Sequence, residues 1–214
     1  EIAMENKGTP VNNRALKQMA SRTEFTLSII IVVLFLLAFF FTKSFGSPYN
    51  LTNLAKQGAI IGVLAVAQTC IIITGGIDIS GGAIAGLGCM VMALLQTRTD
   101  MPFPLTILAC LGVCVVCGVI NGVIIYDLRV PPMIATLGTQ TIIRGIVKLL
   151  CGGLNVTFVD ERILSIGTEK LFGFLPVLTL FWIAVAAVVF LLLRYTTYGR
   201  NLFVIGSGIE VARL

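Results

Sequence analysis

The stretch that decides the fold is QTCIIITGGIDISGGAIAGLG, which runs from Gln68 to Gly88. Apolar runs enter and leave it, yet its centre holds two glycine pairs, one acid (Asp78) and one hydroxyl (Ser80). An unpaired charge in the bilayer centre costs about 3 kcal/mol or more, and a glycine inside a helix costs about 1 kcal/mol relative to alanine. A sequence that accepts both costs predicts a broken helix, whose freed backbone groups meet protein or water.

The composition indicates the class of protein. Hydrophobic residues make up 57% of the chain, charged residues only 12%, and the mean hydropathy is +1.01. Soluble domains are nearer about 45–50% apolar and about 25% charged. The chain is therefore predicted to be an integral membrane protein, an all-α polytopic bundle of transmembrane helices.

The 214 residues have room for about six spans of roughly 20 residues with short loops. Between the first two predicted spans, a loop covers Thr42 to Lys56, and the longest polar stretch runs from Cys151 to Leu175. The predicted spans are Phe25–Phe41, Gly58–Thr74, Gly82–Leu95, Leu105–Tyr126, Met133–Leu150 and Pro176–Leu193.

The charges divide the chain into an N-terminal tail (1–23), a transmembrane domain (24–193) and a basic C-terminal segment (194–214). With six spans, both termini lie on one side, which collects eight basic residues against five on the other. The positive-inside rule then predicts that both termini are cytoplasmic. The eight are Lys7, Arg14, Lys17, Arg22, Arg129, Arg194, Arg200 and Arg213; the five are Lys43, Lys56, Arg98, Arg162 and Lys170.

Metal binding and catalysis are not expected of this sequence. It has six cysteines but no histidine and no CxxC pair, whereas metal sites usually bring one or the other. Cys110, Cys114 and Cys117 share one helical face and are interpreted as small packing residues between helices. The sequence also has no GxxxxGK[ST] loop for nucleotide phosphates and no cluster of catalytic residues.

Polar residues inside the predicted spans are the candidates for a solute pathway. Asp78 and Ser80 either line such a pathway or form a short turn with a helix-capping acid and serine, and the sequence favours neither. Asn121 needs a hydrogen-bond partner across a helix interface, which is more often structural than a ligand site. Gln68, in the second predicted span, is a further candidate for the solute pathway.

The fifth span carries a polar stripe, because Thr136, Gln140, Arg144 and Lys148 follow each other at steps of four. One interpretation is a face turned to a hydrated path. The alternative is that the two cations extend to the membrane surface, which is favoured for Lys148 and equally weighted for Arg144.

Three blocks together resemble the permease subunits of bacterial ABC importers for ribose, galactose, xylose and autoinducer-2. TGGIDISGGAIAG (Thr74–Gly86) is similar to the family's TGGIDLSVG segment. GVINGVIIYDLRVPPMIATLGTQTIIRG (Gly118–Gly145) is similar to its asparagine–glycine helix, proline pair and TLG helix. YGRNLFVIGSGIEVARL (Tyr198–Leu214) is similar to its cytoplasmic segment. The chain departs from the family pattern at Gly81, Gly208 and Val211, where valine, asparagine and alanine are usual.

The resemblance implies a transport subunit of the bacterial inner membrane that is not itself an enzyme. Two permease subunits, as a homodimer or heterodimer, would form the pore, a separate ATP-binding subunit would hold ATP and Mg, and a periplasmic sugar-binding protein would deliver the solute. This chain would contain no cofactor. The residues that the resemblance implies for coupling to the ATPase are Gly199, Arg200, Gly206, Glu210 and Arg213. The residues that polarity selects for the solute pathway are Gln68, Asp78, Ser80, Asn121, Thr136, Gln140 and Arg144.

The resemblance covers about residues 25–214, and family members continue for several more helices, so we expect this chain to be the N-terminal part of a longer permease. Two other functions stay open on the residues alone. A broken helix with Asp78 also fits an ion-coupled secondary transporter or channel, and a membrane scaffold without a transport role would tolerate substitution of Asp78 or Gln140.

Overall fold

The fold is built from long apolar helices joined by short connections. A computed structural model describes residues 23–154, 156, 161–171 and 173–208. In these residues it contains eight helices and one small two-stranded hairpin. In chain order, the elements are α1 (Thr23–Phe41), α2 (Pro48–Ile73), α3 (Gly81–Arg98), α4 (Phe103–Tyr126), α5 (Pro132–Leu150), α6 (Glu161–Thr168), β1 (Lys170–Leu171), β2 (Leu175–Pro176), α7 (Val177–Tyr195) and α8 (Thr197–Ser207).

All six apolar segments predicted from the sequence are helices, which confirms the all-α fold. Four described helices are long enough and apolar enough to cross a membrane, namely α2, α4, α5 and α7. α1 contributes a shorter apolar segment, Phe25–Phe41. α3 falls outside this group because it contains four glycines together with Gln96 and Arg98. That α1 and α3 also cross the membrane stays a prediction.

The predicted loop from Thr42 to Lys56 is wrong in its second half, because α2 begins at Pro48. The local sequence explains the early start. The Ser47 hydroxyl accepts a hydrogen bond from the Asn50 backbone N–H at 3.2 Å, and proline is favoured at the first helical position because it has no N–H to satisfy there. Asn50 and Asn53 favour a loop by polarity, but both lie inside the helix, where the Asn50 side-chain amide donates back to the Phe45 carbonyl at 2.9 Å.

The longest polar stretch, from Cys151 to Leu175, contains regular structure for which the sequence analysis predicts no element. It contains α6 and a hairpin in which Lys170 pairs with Pro176 and Leu171 pairs with Leu175 in antiparallel register. The last long helix consequently starts after Pro176 rather than at it. Each strand has only two residues, too few for alternating hydrophobicity to be visible in the sequence.

The chain divides into two compact units, residues 1–53 and 54–214, and the second contains the predicted pathway. Its core lies where α3, α4 and α5 meet, around Ala83, Leu87 and Ile143. A side chain added at Gly88 of α3 would meet the sulfurs of Cys114 and Cys110 at 2.8 and 3.0 Å. These two cysteines therefore pack against a glycine, as interpreted from the sequence.

Candidate solute pathway

The end of α2 explains the first glycine pair. Gly75 has a φ of +82°, a left-handed conformation that glycine adopts without a steric penalty. Its N–H donates to the Ile72 carbonyl at 2.9 Å, and the N–H of Gly76 donates to the Ile71 carbonyl at 3.1 Å. This is the Schellman arrangement that closes the carbonyl end of a helix. The first glycine pair thus ends α2 and satisfies its last carbonyls.

The acid and the serine then turn the chain into α3. One oxygen of Asp78, Oδ1, accepts two hydrogen bonds from Ser80, from its backbone N–H at 2.7 Å and from its hydroxyl at 2.6 Å. The serine side chain makes no capping bond to α3. The two residues thus form a local turn in which the serine bonds back to the acid, and a role of either in the solute pathway stays a prediction.

Two residues from other helices hold this turn. The Asn121 side-chain amide on α4 donates to the Ser80 hydroxyl at 2.8 Å. The Thr136 hydroxyl on α5 accepts from the backbone N–H of Ile79 at 3.2 Å. Asp78, Ser80, Asn121 and Thr136 are here called the break network. Sequence reasoning selected all four side chains; it missed the backbone of Ile79, because backbone donors leave no mark in a residue pattern.

Three members of the break network are withdrawn from solvent. Ser80 and Thr136 are 0% and 1% exposed, and Asn121 is 6% exposed. Their polar groups are used on each other and on the backbone, apart from the Asn121 Oδ1, which has no hydrogen-bond partner among the described residues. Because buried polar groups in a low-dielectric interior are costly unless they are paired, this network fixes the path of the break between α2 and α3.

Asp78 itself is only half-buried and reaches a cavity on the other side of the break. This cavity, about 350 Å³ in volume, lies between α2 and the break. Gln68 and Asp78 are its polar side chains, and Ile61, Leu64 and Ile71 are among its apolar ones. Pockets for small molecules are mostly apolar with a few polar groups, at about 300–1,000 Å³. The structure therefore brings Gln68 and Asp78 to one cavity, whereas neither Gln140 nor Arg144 is among the residues that line it.

The polar stripe predicted on α5 divides into two parts. Thr136 faces the break, whereas the residues further along line a separate open cavity of about 550 Å³. Gln140, Thr141, Arg144 and Lys148, here called the α5 cationic face, supply its polar side chains, and Leu137 and Gly145 complete it. Arg144 and Lys148 are both exposed. The sequence missed Thr141, because it does not fall on the four-residue step.

The basic C-terminal segment begins with a helix, α8. Thr196 caps it, accepting a hydrogen bond from the Gly199 N–H at 3.2 Å. A side chain at Gly199 would collide with the Leu193 backbone, and one at Gly206 would collide with the Ile73 carbonyl. Both glycines therefore permit close approach of α8, to the end of α7 and to the end of α2. Arg200 is exposed, and the predicted coupling residues Glu210 and Arg213 lie outside the described residues, as does the N-terminal tail up to residue 22.

These features define a polytopic helical membrane protein with a broken helix and with polar side chains in open cavities. The model of the family described as "Branched-chain amino acid transport system / permease component" matches residues 50–214. The chain belongs to this family of permeases.

The curated relatives are similar over most of this chain. It is 30% identical over 200 residues to the autoinducer 2 import system permease protein LsrC of Escherichia coli (strain SMS-3-5 / SECEC), covering 92% of this chain and 57% of the relative. The LsrC proteins of Photorhabdus luminescens and Yersinia pestis (strain Pestoides F) are 29% and 30% identical; 92% of this chain is covered in each case, with 59% and 56% of the relatives. The chain thus spans less than two thirds of the length of these relatives. No solved structure matches it.

Proposed function

We propose that this chain is part of the permease subunit of an ATP-driven importer that moves a small polar solute by alternating access. The observation that carries the proposal is the cavity beside the break, where Gln68 and Asp78 face apolar residues of α2 in a chain of the permease family. An amide and a carboxylate in an apolar cavity suit a solute with several hydroxyl or amine groups. The names of the relatives support autoinducer 2 as the first solute to test.

The α5 cationic face is a second contact for the solute in this proposal. It is open and lined by Gln140 and Arg144, two of the residues selected from the sequence. Of the predicted pathway residues, Gln68, Asp78, Gln140 and Arg144 are therefore assigned to solute contact. Ser80, Asn121 and Thr136 are assigned to holding the break in place, since they are buried and bonded within the network.

The partners in this proposal are an ATP-binding subunit that holds ATP and Mg, a periplasmic solute-binding protein and a second permease subunit. This chain takes no cofactor and carries out no catalysis. Both termini face the cytoplasm of a bacterial inner membrane, and Gly199, Arg200, Gly206, Glu210 and Arg213 couple to the ATPase. Gly206 supports this role because it lies against the end of α2, so that a shift of α8 would reach the break directly.

Uptake by reconstituted proteoliposomes tests the proposal. The intact permease is incorporated with its ATP-binding subunit, the binding protein is added outside, and labelled autoinducer 2, ribose and leucine are offered in turn. We expect uptake of one solute class that requires both ATP and the binding protein. Uptake by the permease alone, driven by a proton or sodium gradient and lost in Asp78→Asn, would instead establish the ion-coupled transporter, which a half-buried carboxylate in the cavity also suits.

A further inference from the structure

The corner between α7 and α8 forms a pocket of which the proposed transport function uses only Arg200, for coupling to the ATPase. Its volume is about 430 Å³. Two arginines and three apolar side chains line it, from the last turns of α7 and the first turns of α8: Phe190, Leu193, Arg194, Arg200 and Phe203. These five residues are here called the α7–α8 elbow.

The elbow lies at the end of a membrane span. α7 is long and apolar enough to cross a bilayer, and none of its residues is fully buried among the residues that the structure describes. Arg194 stands in its last turn, and the helix ends at Tyr195 before Thr196 caps α8. A span that ends in arginine and tyrosine places these residues at the level of the lipid headgroups, where aromatic and basic side chains are enriched.

The elbow combines two chemistries on adjacent surfaces. Arg194 and Arg200 provide positive charge, and none of the described residues that line the pocket is acidic. The planar guanidinium groups bind phosphate oxygens in pairs better than lysine does. Phe190 and Phe203 are 57% and 54% exposed, which leaves their rings available to an apolar chain. The Arg194 guanidinium also lies 5.8 Å from the centre of the Tyr195 ring, which orients it at the headgroup level.

We propose that the α7–α8 elbow binds one anionic phospholipid. The two arginines hold the phosphate of the headgroup, and Phe190, Leu193 and Phe203 cover the first part of an acyl chain. A soluble phosphate compound would use the arginines but leave the three apolar residues in contact with water. The juxtaposition of both kinds of residue at the end of a span therefore favours a lipid.

Native mass spectrometry of the intact permease tests this proposal. The protein is released from micelles containing equal amounts of phosphatidylglycerol and phosphatidylcholine, and the molecules of each lipid that stay bound are counted over a range of concentrations. Removal of an arginine near a charged membrane surface weakens binding about fivefold. We therefore expect Arg194→Gln and Arg200→Gln together to weaken phosphatidylglycerol binding about thirtyfold, without changing phosphatidylcholine.

Three further variants make the test specific. Arg98→Gln, which removes an arginine at the end of α3, should leave phosphatidylglycerol binding unchanged. Arg194→Lys with Arg200→Lys keeps the charge and should retain most of the binding even if the glutamine variants fold poorly. Phe203→Ser should weaken lipid binding, whereas it would leave the binding of inorganic phosphate, measured by competition, unchanged.

Several results would overturn the proposal. Phosphatidylglycerol binding that survives in the double glutamine variant places the lipid elsewhere, and an equal loss in Arg98→Gln means that only the total charge matters. If millimolar inorganic phosphate displaces phosphatidylglycerol and Phe203→Ser does not weaken phosphatidylglycerol binding, the elbow is a site for free anions. If the double variant keeps its lipid and loses only the ATP-binding subunit on purification, the elbow is a docking surface for that subunit.

Discussion

The break network and the α5 cationic face both place polar side chains in apolar helices, but they do so in opposite ways. In the break network, a half-buried carboxylate and three buried polar side chains are hydrogen-bonded to one another or to the backbone of the break, which ties α4 and α5 to it. On the α5 cationic face, Arg144 and Lys148 are exposed and line an open cavity. A polar residue in a membrane helix therefore indicates either fixed internal structure or an accessible surface, and its burial decides between them.

The largest expected effect comes from removing the acceptor at the centre of the break network. Asp78→Leu leaves the N–H and the hydroxyl of Ser80 without their shared partner at a fully buried position. Hydrogen bonds to a charged group contribute about 1.5–3 kcal/mol each, so the free energy of unfolding should fall by about 3 kcal/mol. Titration of the purified protein with SDS in mixed micelles measures this value.

Asp78→Asn serves as the control for that measurement, because it keeps an Oδ1 acceptor and should lose less than half as much. If Asp78→Leu unfolds at the same SDS fraction as the wild type, Ser80 has access to water. The break network would then be an open surface like the α5 cationic face, and the distinction between the two regions would fail.

Two glycines extend the comparison to packing, one at the α3–α4 contact and the other on the rim of the α5 cavity. Gly88→Ala brings a methyl group to 2.8 Å from the Cys114 sulfur at the α3–α4 contact, and overpacking of this kind costs about 1–3 kcal/mol. Gly145→Ala, on the rim of the α5 cavity, meets no atom within 4 Å and should stabilise α5 by up to about 1 kcal/mol, since alanine favours helices. Thermal unfolding midpoints of the two variants in one detergent should move in opposite directions, and a parallel shift would contradict the comparison.

Two threonines on α5 test the break network at a single hydrogen bond. Thr136→Val removes the acceptor for the Ile79 N–H, and interhelical hydrogen bonds in membrane proteins contribute about 0.6–1.7 kcal/mol. Thr139→Val removes bonds that the Thr139 hydroxyl makes only within its own helix, to the carbonyls of Ala135 and Thr136. We expect a loss of about 1 kcal/mol for the first variant and almost none for the second by SDS titration. Equal losses would mean that Thr136 does not hold the break.

Much of the architecture could be predicted from the sequence, because apolar runs of about 20 residues have few alternatives in a membrane. Asp78, Ser80, Asn121 and Thr136 could be selected for the same reason: each is polar where polarity is costly. What the selection could not supply was the role of each one. Gly75 was interpreted as part of a deliberate break, and only its backbone angle identifies it as the end of α2.

Two segments escaped prediction for a common reason. The start of α2 at Pro48 depends on a hydrogen bond from a backbone N–H to the Ser47 hydroxyl, and the hairpin depends on the backbone pairing of Lys170–Leu171 with Leu175–Pro176. Hydropathy gives no weight to such bonds. A search for serine followed by proline at a helix start would have found the first of them. The second depends on a pairing of only two residues in each strand, which no periodicity can indicate.

The smallest expected effect on stability is that of Arg144→Gln on the α5 cationic face. Arg144 is exposed and forms no salt bridge with any described residue, so the free energy of unfolding should change by less than about 0.5 kcal/mol. If this face contacts the solute, loss of one charge-assisted hydrogen bond, about 1.5 kcal/mol, should lower ATP-dependent uptake about tenfold. Arg98→Gln is the matched control and should alter neither quantity. Normal transport by Arg144→Gln would restrict solute contact to the cavity of Gln68 and Asp78. Unfolding at a lower SDS fraction than the wild type would instead show that Arg144 is paired inside the assembled permease, and that it is internal structure like the break network.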